Sequence, residues 1–242
     1  MSATKKLLDD MEHTYEVAVE KPVKQFKISC SVAHMILGQK GLGVTGEKFL
    51  KQWYISKKYN RKKDFWAKQV EKGLMVEQTG IEMLSAHLGQ ELFKNDQWFE
   101  DLEIQGIPDV ITDDTIIDIK SSWDIFSFPM CEKVLKNSDY DWQLQGYMAI
   151  TGYEKAAIAY VLINTPKPLI DQELKKLYYQ SGGRAEDWQP EDYEHLATNY
   201  KFDDVPFHDR IRLFEVKKDE SKIKLIRERV ALCREYIKEN FI

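Results

Sequence analysis

Ile107-Pro108-Asp109-Val110 and Ile116-Ile117-Asp118-Ile119-Lys120 are two β-branched runs on either side of the polar tetrad Thr112-Asp113-Asp114-Thr115. Apolar, β-branched runs around a turn-forming tetrad predict a β-hairpin. A turn centred between Asp113 and Asp114 sets Asp109 opposite Asp118, and facing residues of a hairpin hold their Cβ atoms about 4.5–5.5 Å apart. Lys120 comes two residues after Asp118 and so projects from the same sheet face. Like charges placed opposite each other destabilise a sheet unless something offsets them. A divalent cation does so, and hard carboxylate oxygens favour magnesium or manganese.

The flanking sequence supplies a frame for this hairpin. Residues 99–105 predict a strand leading into it, and residues 156–164 read as a continuous apolar strand suited to a buried central position. Between them, residues 138–151 carry helix signals: Ser138 with Asp141 resembles a capping box, and Gly152 ends the helix. Gln143 and Tyr147, four residues apart, share one face of that helix, either as a satisfied core pair or as part of a site. Residues 64–89 predict another helix, with Phe65, Val70, Leu74, Ile81, Leu84 and Leu88 as its core positions. It carries Glu77 and Glu82, which stand roughly 140° apart around the axis and so do not both face one ion. Ser29 is placed to cap a short helix, and Gly38, Gly41, Gly43 and Gly46 mark a loop. These glycines neither follow a strand nor end in Gly-Lys-Ser/Thr, which argues against a phosphate-binding P-loop. Residues 207–216 predict a strand with Arg210 and Arg212 on one face, and residues 221–241 an amphipathic helix using Ile223, Ile226, Val230, Cys233 and Ile237. Helix and strand after a hairpin predict an α/β fold, a central mixed β-sheet flanked by helices.

Asp109, preceded by Pro108, and then Asp118-Ile119-Lys120 resemble the catalytic signature of the PD-(D/E)XK nuclease superfamily. Gln143-Leu144-Gln145-Gly146-Tyr147 resembles the Gln-x-x-x-Tyr element of its RecB-like branch, which includes phage recombination exonucleases and CRISPR adaptation nucleases. The resemblance covers residues 73–165 and implies a restriction-endonuclease-like core with helical elaborations. It implies a metal-dependent DNA exonuclease of recombination, replication or repair, with a structure-selective or single-strand DNA endonuclease as the alternative. In that scheme Asp109, Asp118 and the main-chain carbonyl of Ile119 hold one or two Mg2+ or Mn2+ ions. Glu77 is the third carboxylate, with Glu82 as its rival, and Lys120 positions or activates the attacking water. Gln143 supports the site with Tyr147 beside it. Asp118 stands where Glu is frequent in the superfamily. The implied partners are DNA, as linear duplex ends or single strands, and a homo-oligomer or a recombination or replication protein. A catalytically silent DNA-binding or assembly protein, or a metal enzyme acting on a small phosphorylated molecule, are readings of other classes.

The 242-residue chain suits a single domain. It divides into a leader over 1–26, a helical basic region over 27–72, the catalytic core over 73–165, a helical elaboration over 166–205 and a closing strand and helix over 206–242. A net charge of −5 argues against a chain that coats nucleic acid along its whole surface and does not exclude a local basic groove. Residues 48–72 gather such charge, including Lys57, Lys58, Arg61, Lys62, Lys63, Lys68 and Lys72, among Trp53, Tyr54, Tyr59, Phe65 and Trp66. This reads either as a solvated helix face or as a phosphate-binding patch whose aromatics stack on bases. Ser121 and Ser122 offer hydroxyls to phosphate oxygens, or simply shape a loop. Cys30, Cys131 and Cys233 are dispersed, which suggests reduced thiols in a cytoplasm, the host's if the protein is phage-encoded. Three cysteines do not supply the four-cysteine iron–sulfur cluster of some RecB-like relatives. No apolar leader or membrane-length apolar run is present in the sequence.

Overall fold

The computed structural model describes residues 24–61, 63, 67–180, 182–183, 194 and 197–242. The predicted hairpin forms in the predicted register. β4 (Val110–Ile111) and β5 (Ile116–Ser121) pair antiparallel, with Val110 opposite Ile117 and Ile111 opposite Ile116. Thr112 N–H donates to the Thr115 carbonyl at 3.0 Å and closes the turn. β5 runs parallel to β6 (Lys155–Val161), which sets Asp118 beside Ile158 and Lys120 beside Tyr160. β6 pairs antiparallel with β7 (Ile211–Lys217), giving the order β4-β5-β6-β7. Ala156, Ala157, Ile158, Ala159 and Val161 of β6 are all buried, as a strand covered on both faces requires.

Helices cover the two faces. α3 (Ser138–Thr151) makes the crossover between the parallel strands and packs Leu144 and Met148 on Ile116, Ala156 and Ile158, together with Ile226 and Val230 of α5 (Glu220–Phe241). α2 (Lys68–Leu88) lays Val76, Ile81 and Leu84 on Val110, Ile117, Ala159 and Val161 from the other side. α1 (Gly43–Tyr59) adds Leu50 to the first cluster, and α4 (Lys167–Gln180) buries Leu169, Ile170 and Leu174. A second, small sheet has the order β1-β3-β2, from β1 (Ile28–Ser29), β2 (Phe99–Glu100) and β3 (Ile104–Gly106).

Several expectations are corrected by local chemistry. The single strand expected over 99–105 is broken, because Asp101 Oδ1 accepts from the N–H groups of Glu103 (2.7 Å) and Ile104 (2.8 Å) and turns the chain. Ser29 makes no capping bond, and the chain continues from it into a 3-10 segment, Cys30–Ile36. α3 has the expected bounds and ends at Gly152 (φ 83°), but its cap is the Asn137 side chain, which accepts from Asp139 N–H at 2.9 Å. Arg210 closes a 3-10 turn (Phe207–Arg210) before β7 begins, so it does not share a strand face with Arg212. All five expected core positions of α5 are buried. Phe26, placed in the leader by sequence, is buried edge-to-face on Trp53 at 4.9 Å. Val70, Leu74 and Leu88 are exposed, because the buried stripe of α2 is Lys72, Val76, Gly80 and Leu84. Lys72, read as part of the basic run, is therefore inside the protein. Lys62, Phe65 and Trp66, residues 1–23 and most of 181–196 lie outside the described residues. Among the described residues no helix is long and apolar enough to cross a membrane.

Cys30 sits in a crossing that only glycine permits. A Cβ on Gly146 of α3 would lie 3.0 Å from its Sγ, and one on Gly106 of β3 would lie 3.0 Å from that Sγ and 2.8 Å from the Tyr147 ring. Gly106→Ala has no helix propensity to gain and must displace Tyr147, so overpacking decides its sign. We expect it to lower unfolding free energy by roughly 1–3 kcal/mol in a urea titration.

Candidate active site

The hairpin register explains why two aspartates meet. The Thr112–Thr115 pair closes with a main-chain bond, and alternation along an antiparallel ladder makes Asp109–Asp118 a non-hydrogen-bonded pair, the kind whose side chains stand closest. β4 does not extend to Asp109. Instead Ile119 N–H donates to Asp109 Oδ2 at 2.7 Å. The Pro108 carbonyl turns away to accept from Asn95 Nδ2 at 2.9 Å, and Asn95 N–H donates to the Asp109 carbonyl at 2.8 Å. Asp118 is 2% exposed. Burial, and then the charge of Asp118, push the Asp109 carboxyl up to about 7. A half-buried carboxyl beside a buried carboxylate thus holds a proton when no cation is present.

Lys120 Nζ lies 2.6 Å from Asp118 Oδ2. Geometrically this is a charge contact rather than an aligned hydrogen bond, since among the described residues Oδ2 has no hydrogen-bond partner by direction. Burial lowers the Lys120 pKa, but the charges of Asp118 and Asp109 outweigh it and hold the ammonium above the ordinary lysine value. Its Nζ also stands 4.9 Å over the ring of Tyr140.

α3 fixes the other oxygen of Asp118. Gln143 Nε2 donates to Asp118 Oδ1 at 2.7 Å and to the Tyr147 hydroxyl at 3.0 Å. The Tyr147 hydroxyl donates to the Ile107 carbonyl at 3.0 Å. One turn of helix therefore ties Asp118 on β5 to the segment that carries Asp109. Burial and the Asp118 charge push the Tyr147 hydroxyl up, so it stays a neutral donor.

These groups open into a cleft of about 820 Å³. Glu77 lines it, its carboxylate paired with Lys94 Nζ at 2.7 Å. Glu82 instead accepts from Gln78 and does not line the cleft. Ser121 and Ser122 line it with buried hydroxyls that have no hydrogen-bond partner among the described residues. Lys57, Lys58, Arg61 and Lys63 are exposed at and beyond the end of α1 and are not among the cleft residues. Lys68, from the same basic run, does line it, as do Leu74, Trp98 and Tyr140, which sequence reasoning did not assign to a site. Tyr140 had a usable signal, since it precedes Gln143 by three residues on one helix face.

Asp109 and Asp118 fit a divalent cation by their chemistry: hard oxygens, a like-charge pair held together under burial, and one Asp118 oxygen without a directed hydrogen bond. Glu77 is engaged by Lys94, and among the described residues no three His, Cys, Asp or Glu side chains are already gathered around one point. The fit is therefore that of a two-carboxylate site open to carbonyl and water ligands.

No protein-family profile matches the sequence, and no curated protein does. Solved structures do match. A phage-related exonuclease from Haemophilus somnus 129PT is 25% identical, with 89% of this chain and 95% of that chain covered at a TM-score of 0.72. An alkaline exonuclease from Laribacter hongkongensis is 13% identical over 88% and 92% of the two chains at a TM-score of 0.60, and its complex with dAMP matches equally well in coverage and score. The chain has the restriction-endonuclease-like α/β fold of these exonucleases, a mixed sheet flanked by helices.

The raised Asp109 pKa has a consequence for stability. Between about pH 4 and about pH 7 the folded protein holds a proton that the unfolded chain has released, so this group lowers stability as pH rises through that window. Without divalent ions, Asp109→Asn should melt above wild type at about pH 8, with the advantage vanishing towards about pH 4. A difference that does not change with pH contradicts the raised Asp109 carboxyl.

Proposed function

We propose that the protein is a divalent-metal-dependent deoxyribonuclease that degrades linear DNA from its ends in recombination, replication or repair. The observation that carries this reading is the gathering of Asp109, Asp118 and Lys120 in one cleft, with Gln143 bonded to Asp118. The likeness to two exonucleases, one crystallised with dAMP, supports the choice of DNA and of end-directed cleavage. The Gln-x-x-x-Tyr element supports a place in the RecB-like branch.

The reaction adds water to a phosphodiester: the water oxygen bonds to phosphorus and gives its proton to solvent, the bond from phosphorus to the departing sugar oxygen breaks, and that oxygen takes a proton from solvent to leave as a hydroxyl. Asp109, Asp118 and the Ile119 carbonyl would hold Mg2+ or Mn2+, with Glu77 joining on release from Lys94. Such an ion lowers the pKa of a bound water and offsets charge on the phosphate. Lys120 faces the same cleft as a held ammonium, able to orient the water and balance negative charge on the phosphate oxygens. Gln143 keeps Asp118 aimed, so its oxygen is not lost to rotation. Ser121 and Ser122 offer a phosphate hydroxyls that have no partner among the described residues. The protein would act in the cytoplasm, alone as a homo-oligomer or beside a recombination or replication protein.

End-labelled linear DNA and covalently closed circles, each with Mg2+ or Mn2+, test the reading. Linear DNA should disappear while circles persist, and chelation should stop the reaction. Lys120→Ala should slow it by about 10²–10⁴-fold. Cutting of circles would replace it with the endonuclease alternative.

A further inference from the structure

Lys72 is fully buried, and its ammonium is met by main-chain carbonyls rather than by a carboxylate hydrogen bond among the described residues. Its Nζ donates to the carbonyls of Ser122 (2.6 Å) and Trp123 (3.3 Å), the residues that leave β5 just after Lys120. The rings of Phe202 and Trp123 stand 5.2 and 6.0 Å from it. A methionine of similar length would fill the same space without desolvating an amine, so core stability alone does not account for a lysine here. What a lysine adds is reach to two specific carbonyls. Burial draws its pKa down to about 7 against the charge of Asp124. Even the neutral amine keeps two N–H groups for its two acceptors.

The position of this contact along α2 matters. Eight residues on, Gly80 lets the same helix settle against β5, where an added Cβ would come 3.2 Å from Ile119 Cγ2. The two anchor points lie about 12 Å apart along the axis, and Glu77 lies between them. The turns around Lys72 also send Lys68, Gly73 and Leu74 to the cleft. On the far side, Ser122 N–H donates to the Val161 carbonyl at 3.0 Å and Thr165 Oγ1 to the Trp123 carbonyl at 3.3 Å. The segment held by Lys72 is thereby fixed to β6 and beyond.

We propose that Lys72 is a positioning residue, a buried clamp that joins the Glu77-bearing helix to the exit of the strand carrying Asp118 and Lys120 and so sets the width of the cleft. Its catalytic consequence rests on the nuclease reading; its mechanical consequence does not. Hydrogen exchange and DNA digestion on wild type, Lys72→Met and Lys72→Arg separate the two. In Lys72→Met, amides of 68–77 and 121–124 should exchange about tenfold faster while those of β6 are unchanged. Its kcat should fall about tenfold or more with KM within about twofold, and Lys72→Arg, which keeps donors, should recover most of that loss. Unchanged exchange in Lys72→Met, or loss of cooperative folding in both variants, overturns the clamp. Faster exchange with wild-type kcat overturns its catalytic role. An inactive wild type defeats the nuclease reading, and exchange then decides the clamp alone.

Discussion

Asp109 and Asp118 occupy facing positions of one hairpin, Asp118 buried and Asp109 half-buried, where burial works against the charged form of the Asp109 carboxyl. This contact is unfavourable in itself, and the elements around it are arranged to sustain it. Ile119 N–H takes one oxygen of Asp109, Gln143 takes one oxygen of Asp118, and Lys120 supplies the neighbouring positive charge. The Tyr147 hydroxyl then ties Gln143 to the Ile107 carbonyl, so both carboxylate-bearing segments answer to a single turn of α3. Gly106 and Gly146 let that turn approach by giving Cys30 room between them. A fold that only needed stability would place apolar residues here; this one concentrates negative oxygen at the floor of a cleft.

The parts of this arrangement legible in the sequence are those fixed by short-range rules. Hairpin register comes from strand alternation and one turn, which is why the pairing of Val110 with Ile117 matches the expectation and brings Asp109 and Asp118 together. The span of α3 is set by its helical spacing and Gly152. The closing helix was legible for the same reason, since its five apolar positions have one clear face.

The hidden parts depend on partners far away in the chain. Nothing near Lys72 announces that its acceptors are carbonyls fifty residues later, and its charge made it look like surface. The buried stripe of α2 contains a lysine and a glycine, while Val70 and Leu74 on another face are apolar and exposed beside the cleft. A hydrophobic-period reading picks the second face. The break in the strand expected over 99–105 was readable in principle, because Asp101 precedes the two N–H groups it captures, but an aspartate in a β-rich run carries little weight by itself. Composition alone singles out the basic cluster near the end of α1, whereas cleft membership depends on how helices pack.

Cation binding at the aspartate pair is the property on which the chemistry of this cleft depends. Calorimetric titration of Mn2+ into wild type and Asp118→Asn at about pH 6, in buffers of different ionisation enthalpy, addresses it directly. Wild type should bind Mn2+ with release of a proton, because Asp109 must ionise to become a ligand, and Asp118→Asn should lose most of that binding. Binding that is absent in wild type, or equal in both proteins, would contradict the account.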